Sequence, residues 1–166
     1  PVVVGDRLYF YYNAAKLRGL WFEVARDGSP RDQSLLSPIE RADFEDGLLG
    51  ICLATLRLDG FVSLDAGASG GEVTTKSFTA NGSRLYLNVD VHKAGEARVA
   101  VTDEAGKPLK GFSHSECQGL TGNEVRQEVK WQESAWSKLQ GKKVRLKITL
   151  RNADLFAFWS ESEPTP

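Results

Sequence analysis

Two segments of this chain alternate apolar and polar residues so strictly that they leave little choice of secondary structure. In RLYLNVDV, Leu85, Leu87, Val89 and Val91 share one parity, and Arg84, Tyr86, Asn88 and Asp90 share the other. A period of two puts one set on each side of a pleated strand, so the spacing predicts a half-buried strand with a single core face. KVRLKITLRN repeats the pattern with Val144, Leu146, Ile148 and Leu150 directed inward, and EARVAVTD does so with Ala97, Val99 and Val101. The DEAGK that follows is a tight connection in which Gly106 supplies a positive φ, which makes a hairpin arm. ADLFAFW is apolar on both parities and predicts a final strand covered on both faces.

With FVSLD, GEVTTKSF and EVRQEVKW added, seven short strands follow one another after Gly50 with little helix between them. Such spacing favours an all-β fold, an antiparallel β-sandwich of jelly-roll type, over any α/β arrangement. DAGASGG is read as a loop between adjacent strands. The expected core contains Leu85, Leu87, Val89, Val99, Val101, Val129, Trp131, Leu146, Ile148 and Leu150. Trp131 shares the parity of Val129, which places it in the core and not on a sugar-stacking platform. Trp136, Trp21 and Trp159 form no pair of neighbours on one exposed face.

Before Gly50 the pattern is different. RLYFYYN is rich in aromatic residues and follows a Gly5-Asp6 turn signal, so it reads as a strand, and LWFEVAR is a second candidate. RDGSPRDQSLLSPIERADFEDG is polar and contains two prolines, so most of it is expected to be loop. Within it Ser37, Pro38 and Glu40 fit an N-cap, a first-turn proline and a capping-box acid, predicting a short helix through about Phe44. The expected division is therefore 1–49 for N-terminal strands, loop and short helix, and 50–166 for the sandwich.

Charge and composition exclude several function classes. Among 166 residues, 21 basic and 22 acidic side chains give a net charge of −1, with no run of like charge to follow a phosphate backbone. Nucleic acid is not an expected partner. No apolar run approaches the roughly 20 residues that cross a bilayer, and the start carries no leader pattern, so no membrane partner is expected either. The lack of Met and a start inside a strand-like run lead us to expect a mature or excised piece. Cys52 and Cys117 make neither a disulfide framework nor a metal quartet and are expected to be free, buried thiols. His92 and His114 lack Cys or Asp at metal-ligand spacing, so no metal and no cofactor is expected. Ser113, His114 and Glu116 have the residue types of a hydrolase triad, but chain neighbours do not adopt its geometry and no nucleophile elbow surrounds the serine.

LATLRLDGFVSLDAG (residues 53–67), taken with PVVVGDRLYFYYN, RLYLNVDV, GKPLKGFS, TGNEVRQEVKW and KVRLKITLRNADLFAFW, resembles the C-terminal region of secreted bacterial five-bladed β-propeller proteins related to invertase-like and arabinanase-like glycoside hydrolases. The resemblance implies late propeller strands passing into a β-sandwich, an extracellular or periplasmic location, and catalytic acids on strands upstream of Pro1. No catalytic residue is carried over to this chain. It implies a non-catalytic accessory sandwich that supports a catalytic propeller and shares in placing a carbohydrate; the alternatives are an autonomous carbohydrate-binding module and, last, a glycosidase in its own right. Expected partners are the propeller domain of the parent protein, or a second copy met through the N-terminal segment, and a carbohydrate. Tyr11, Tyr12, Arg57 and Asp59 are the candidate carbohydrate-binding residues. Tyr9, Tyr11 and Tyr12 also suit a blade interface, and Arg57 and Asp59, two apart on a strand, also suit a local network at the junction.

Overall fold

A computed structural model describes residues 1–15 and 49–162. The chain divides into two compact units, Pro1–Leu56 and Arg57–Pro166. The first is a three-stranded sheet in the order β1 (Val2–Val4), β2 (Arg7–Ala15), β3 (Leu49–Arg57). β1 and β2 pair antiparallel across the Gly5-Asp6 turn, with Val2 opposite Tyr9 and Val4 opposite Arg7. Because β3 pairs in this sheet, the first unit runs to Leu56, beyond the Gly50 boundary read from sequence. LWFEVAR with Trp21 and the expected helix after Ser37 lie outside the described residues.

The second unit is an all-β, antiparallel, sandwich-like body, as the strand count predicts. Its sheet has the order β4 (Leu64–Ala66), β9 (Lys143–Glu161), β7 (Arg84–Asp103), β8 (Gly122–Glu128), with β5 (Gly71–Thr74) and β6 (Phe78–Thr79) also paired to β9. Two pairs of expected strands are continuous. RLYLNVDV and EARVAVTD are one strand, β7, and KVRLKITLRN and DLFAFW are one strand, β9. They pair with each other from Arg84 opposite Glu161 to Asp103 opposite Val144.

Such long strands curl, and the register shifts between Val91 and Glu96 where they do. Ala94 (φ 60°) and Asn152 (φ 44°) take the left-handed conformation there. Gly95 lies so close to β9 that a Cβ would stand 2.3 Å from the carbonyl oxygen of Asn152, so only glycine fits this bend. The bulge keeps the inward parity of both halves on one side, and Leu85, Leu87, Val89, Val99, Val101, Leu146, Ile148 and Leu150 join one cluster. Phe112, Cys117, Leu120, Val129, Trp131, Trp136 and Leu139, from outside the long strands, cover it.

Trp131 and Trp136 are both buried, at 6.5 Å between ring centroids, with their indole N–H groups donating to the carbonyls of Val99 and Asn81. The β7 hairpin arm forms as expected, with Gly106 at φ 85° and Asp103 accepting from the Gly106 amide. FVSLD is strand only from Leu64, and GEVTTKSF is interrupted after Thr74, where the Thr75 hydroxyl accepts from the Leu146 amide in place of the ladder. Both cysteines are free; Cys117 is buried, whereas Cys52 is half-buried.

Two expectations about covered faces are corrected. The outward parity of β7 is solvated only in part, since Asn88 is wholly buried and Tyr86 nearly so, while Arg84 and His92 are exposed. The end of β9 is covered less than expected, with Phe156 and Trp159 half-buried and Phe158 37% exposed. The same cause explains both. Among the described residues of the second unit, arginine side chains lie on the second face: Arg126 is 4.8 Å from the Tyr86 ring and Arg57 is 4.9 Å from the Phe156 ring.

Ile148 sits at the centre of the core with no exposed surface. Ile148→Ala is expected to destabilise the fold by about 2–5 kcal/mol, the usual range for a buried large-to-small change, read from the shift in denaturant midpoint.

Candidate functional site

Arg57, from the most specific part of the motif, is the best-connected of the four candidate residues. It ends β3, and its guanidinium donates through Nε to Asn88 Oδ1, through Nη1 to Asn123 Oδ1, and through Nη2 to the carbonyl of Val89 at 3.1 Å. Its plane also covers the Phe156 ring. The network continues outward, because Asn88 Nδ2 donates to the Leu58 carbonyl at 2.7 Å and Asn123 Nδ2 donates to Asp90 Oδ2 at 2.7 Å. Arg57 therefore locks the turn after β3 onto β7 and β8, in keeping with a network role.

Asp59 does not share that face. The strand stops at Arg57, a turn closes from the Gly60 amide to the Arg57 carbonyl, and Asp59 occupies it with φ 55°, exposed to solvent. Two-residue spacing predicted one face only while the segment stayed extended, and it does not. Tyr11 and Tyr12 adjoin on β2 and so point to opposite faces of the first unit's sheet, 66% and 51% exposed respectively. Tyr11 and Tyr12 belong to the first unit, whereas Arg57 and Asp59 belong to the second. Asn88 and Asn123, which complete the arginine network, went unmarked because an Asn on a polar parity looks like any solvated residue.

Cross-strand register assembles a carboxylate row that no local pattern signals. Asp65 of β4 faces Asp154 of β9, which faces Asp90 of β7, which faces Asn123 of β8. Like charges in opposed positions repel. Here His92 lies between two of them, its Nε2 at 3.0 Å from Asp154 and its Nδ1 at 3.8 Å from Asp90. Among the described residues no group of three His, Cys, Asp or Glu side chains has the arrangement to hold a metal ion.

Of the triad-like residues, Ser113 and Glu116 pair with each other and His114 with a main-chain carbonyl. Ser113 Oγ donates to Glu116 Oε2 at 2.7 Å, while His114 Nε2 is 2.8 Å from the carbonyl of Lys147. Hydrogen bonds from the Ser113 hydroxyl and amide hold the Glu116 carboxyl below its ordinary range. The Glu161 carboxyl is likewise lowered, first by a hydrogen bond from Arg126 and then by the Trp159 indole. Burial pushes the Cys117 thiol up, so it is no poised nucleophile.

Among the described residues, three of the cavities on the second unit have well-defined linings. A groove of about 410 Å³ is lined by Val62, Leu64, Val73, Leu155 and Phe158, with the hydroxyls of Ser63 and Thr75. A cleft of about 190 Å³ runs past Arg84, Gln118, Glu128 and Lys130 over the edges of the two buried tryptophans. A pocket of about 330 Å³ is lined by Leu109, Phe112 and Leu139 with Lys110, Lys138, Lys142 and Ser134. Comparison of the chain with protein-family models, with curated proteins and with solved structures finds no match in any of the three.

Arg57→Ala strands the buried Asn88 oxygen and is expected to cost about 1–3 kcal/mol, the penalty of an unsatisfied buried acceptor. Arg57→Lys is expected to restore little of this, since an ammonium cannot span Asn88, Asn123 and the Val89 carbonyl while lying flat on Phe156. Urea melts of the two variants check both points. For pH, Glu96, Glu116 and Glu161 all titrate below their ordinary value of 4.5 in the folded chain. Their contribution is present above that value and is lost as pH falls through the lowered folded values, so acid should destabilise the protein from about pH 4.5 downward. A urea midpoint that stays flat to pH 3, measured against Glu161→Gln, would contradict this.

Proposed function

We propose that this chain is a non-catalytic accessory β-sandwich of a glycoside-hydrolase-like protein, supporting a catalytic propeller and helping to place a carbohydrate outside the cell or in the periplasm. The reading is carried by the resemblance of residues 53–67, with Arg57 in its most specific part; the three cavities bear only on the catalytic alternative. Glycoside hydrolysis needs two carboxyl groups held about 5–10 Å apart around the scissile bond. None of the three is lined by two carboxylates, and the one acid among them, Glu128, is engaged by Lys130 at 3.2 Å and faces Arg84 at 3.9 Å. The role of Arg57 supports the same reading, because the most motif-specific side chain is committed to holding strands together.

An autonomous carbohydrate-binding module has less support. Such modules present aromatic faces to sugar rings, and Trp131 and Trp136 are both interior. Among the described tryptophans Trp159 is half-buried, but its ring is stacked on Tyr86 at 5.8 Å between centroids, with Arg126 at 5.9 Å from it.

The test is turnover on panels of aryl glycosides, fructans and arabinans with the whole chain, beside Asp59→Asn and Asp154→Asn. No hydrolysis is expected from any of the three proteins. Robust turnover abolished by either substitution would make the chain an enzyme and end the accessory reading.

A further inference from the structure

The lysine pocket offers chemistry that the accessory reading does not use. Its floor is apolar: Phe112 and Leu139 are buried core residues, and Leu109 packs against the same cluster. Its rim carries Lys110, Lys138 and Lys142, all exposed, and no carboxylate lines it. These lysines come from separate places, the end of the β7 hairpin arm, the 3-10 turn Trp136–Leu139, and the start of the approach to β9. Three positive side chains around one concavity with no carboxylate on its lining give it a positive potential, which attracts an anion.

Partial counter-charges are present. Lys138 Nζ donates to the Glu133 carbonyl at 3.1 Å, which leaves its remaining N–H groups available. Lys110 acts at a distance on the Glu116 carboxylate, whose oxygen Oε2 already accepts from the Ser113 amide and hydroxyl. Ser134, also on the lining, makes no hydrogen bond among the described residues and has a hydroxyl to offer. The volume of about 330 Å³ falls in the range of small-ligand sites, roughly 300–1,000 Å³.

We propose that this pocket binds an anionic saccharide, its sulfate or carboxylate group held by Lys110, Lys138 and Lys142 and its ring lying against the half-buried Leu109. The anion follows from the lysines alone, whereas the saccharide rests on the accessory role proposed above. A nucleic acid fits less well, since the lining carries no exposed aromatic ring for a base and the chain as a whole has a net charge of −1.

The experiment is calorimetric titration of the whole chain with a sulfated oligosaccharide, an oligogalacturonate, a neutral oligosaccharide of equal length, inorganic sulfate and single-stranded DNA. Two variants remove the same charge. One is Lys110→Gln/Lys138→Gln/Lys142→Gln; the other, Lys76→Gln/Lys93→Gln/Lys130→Gln, leaves the pocket intact. One or both anionic saccharides should bind in a salt-dependent way, and the pocket variant should weaken that binding by about tenfold, as the loss of three exposed charge pairs would, with the second variant near the wild type. Which saccharide binds tells sulfate from carboxylate. Equal weakening by both variants, or no binding of either anionic saccharide, overturns the site. Inorganic sulfate or DNA binding as tightly as the saccharides overturns the saccharide assignment at this pocket and leaves the accessory role standing, whereas turnover of glycosides would overturn that role.

Discussion

The pairing of β7 with β9 is the constraint on which the second unit depends. Each strand is about three times the usual length, and each must present one apolar face along its whole run while the sheet twists. A straight pair would leave its two ends far apart and its apolar face open. The bend at Ala94, Gly95 and Asn152 solves this by curling both halves about one core, and every other strand of the unit attaches to β7 or β9. Core contacts made by β7 therefore join residues distant in sequence, Val101 opposite Leu146 and Leu87 opposite Phe158. Such non-local pairing raises the contact order of the unit, and folding slows as contact order rises.

Alternation in the sequence carried the inward face well because it is a local signal. All ten residues expected in the core, from Leu85 to Leu150, are buried. What alternation does not encode is what lies beyond the other face. Asn88 and Tyr86 share the polar parity, yet both are covered, because arginines remote in sequence fold over them. ADLFAFW is apolar on both parities for a related reason: its second face receives guanidinium planes, which tolerate aromatic partners without demanding full burial. The merging of four expected strands into two was equally hidden. HKAG and RNAD look like turns, and Ala94 and Asn152 do adopt turn conformations, but the ladder resumes on the far side of each.

The candidate site was less legible than the fold. Arg57 was found through its motif, and its partners Asn88 and Asn123 were not, since amide side chains carry no periodicity. Asp59 shows how a single conformational fact undoes a spacing argument. At φ 55° the residue leaves the strand, and the rule that i and i+2 share a face no longer applies. The aspartate row was out of reach for the opposite reason, since it exists only through register among β4, β9, β7 and β8.

Arginine and lysine divide the surface of this unit between two kinds of work, and their chemistry explains the division. Arg57, Arg98 and Arg126 each satisfy several acceptors at once: Arg98 donates to the carbonyls of His114 and Cys117 and to Glu96, and Arg126 pairs two-pronged with Glu161. A planar fork that bonds in several directions and stacks on rings is suited to closing a face. The lysines of the rim have no such arrangement. Lys110, Lys138 and Lys142 stand as exposed, hydrated point charges around an apolar floor, Lys138 donating to the Glu133 carbonyl. Substituting arginine for those lysines would add fixed forks where the pocket now has adaptable charges, and substituting lysine for Arg57 would take away the fork that holds Asn88 and Asn123. The two residue types are therefore not exchangeable here, although each change would leave the net charge of the chain the same.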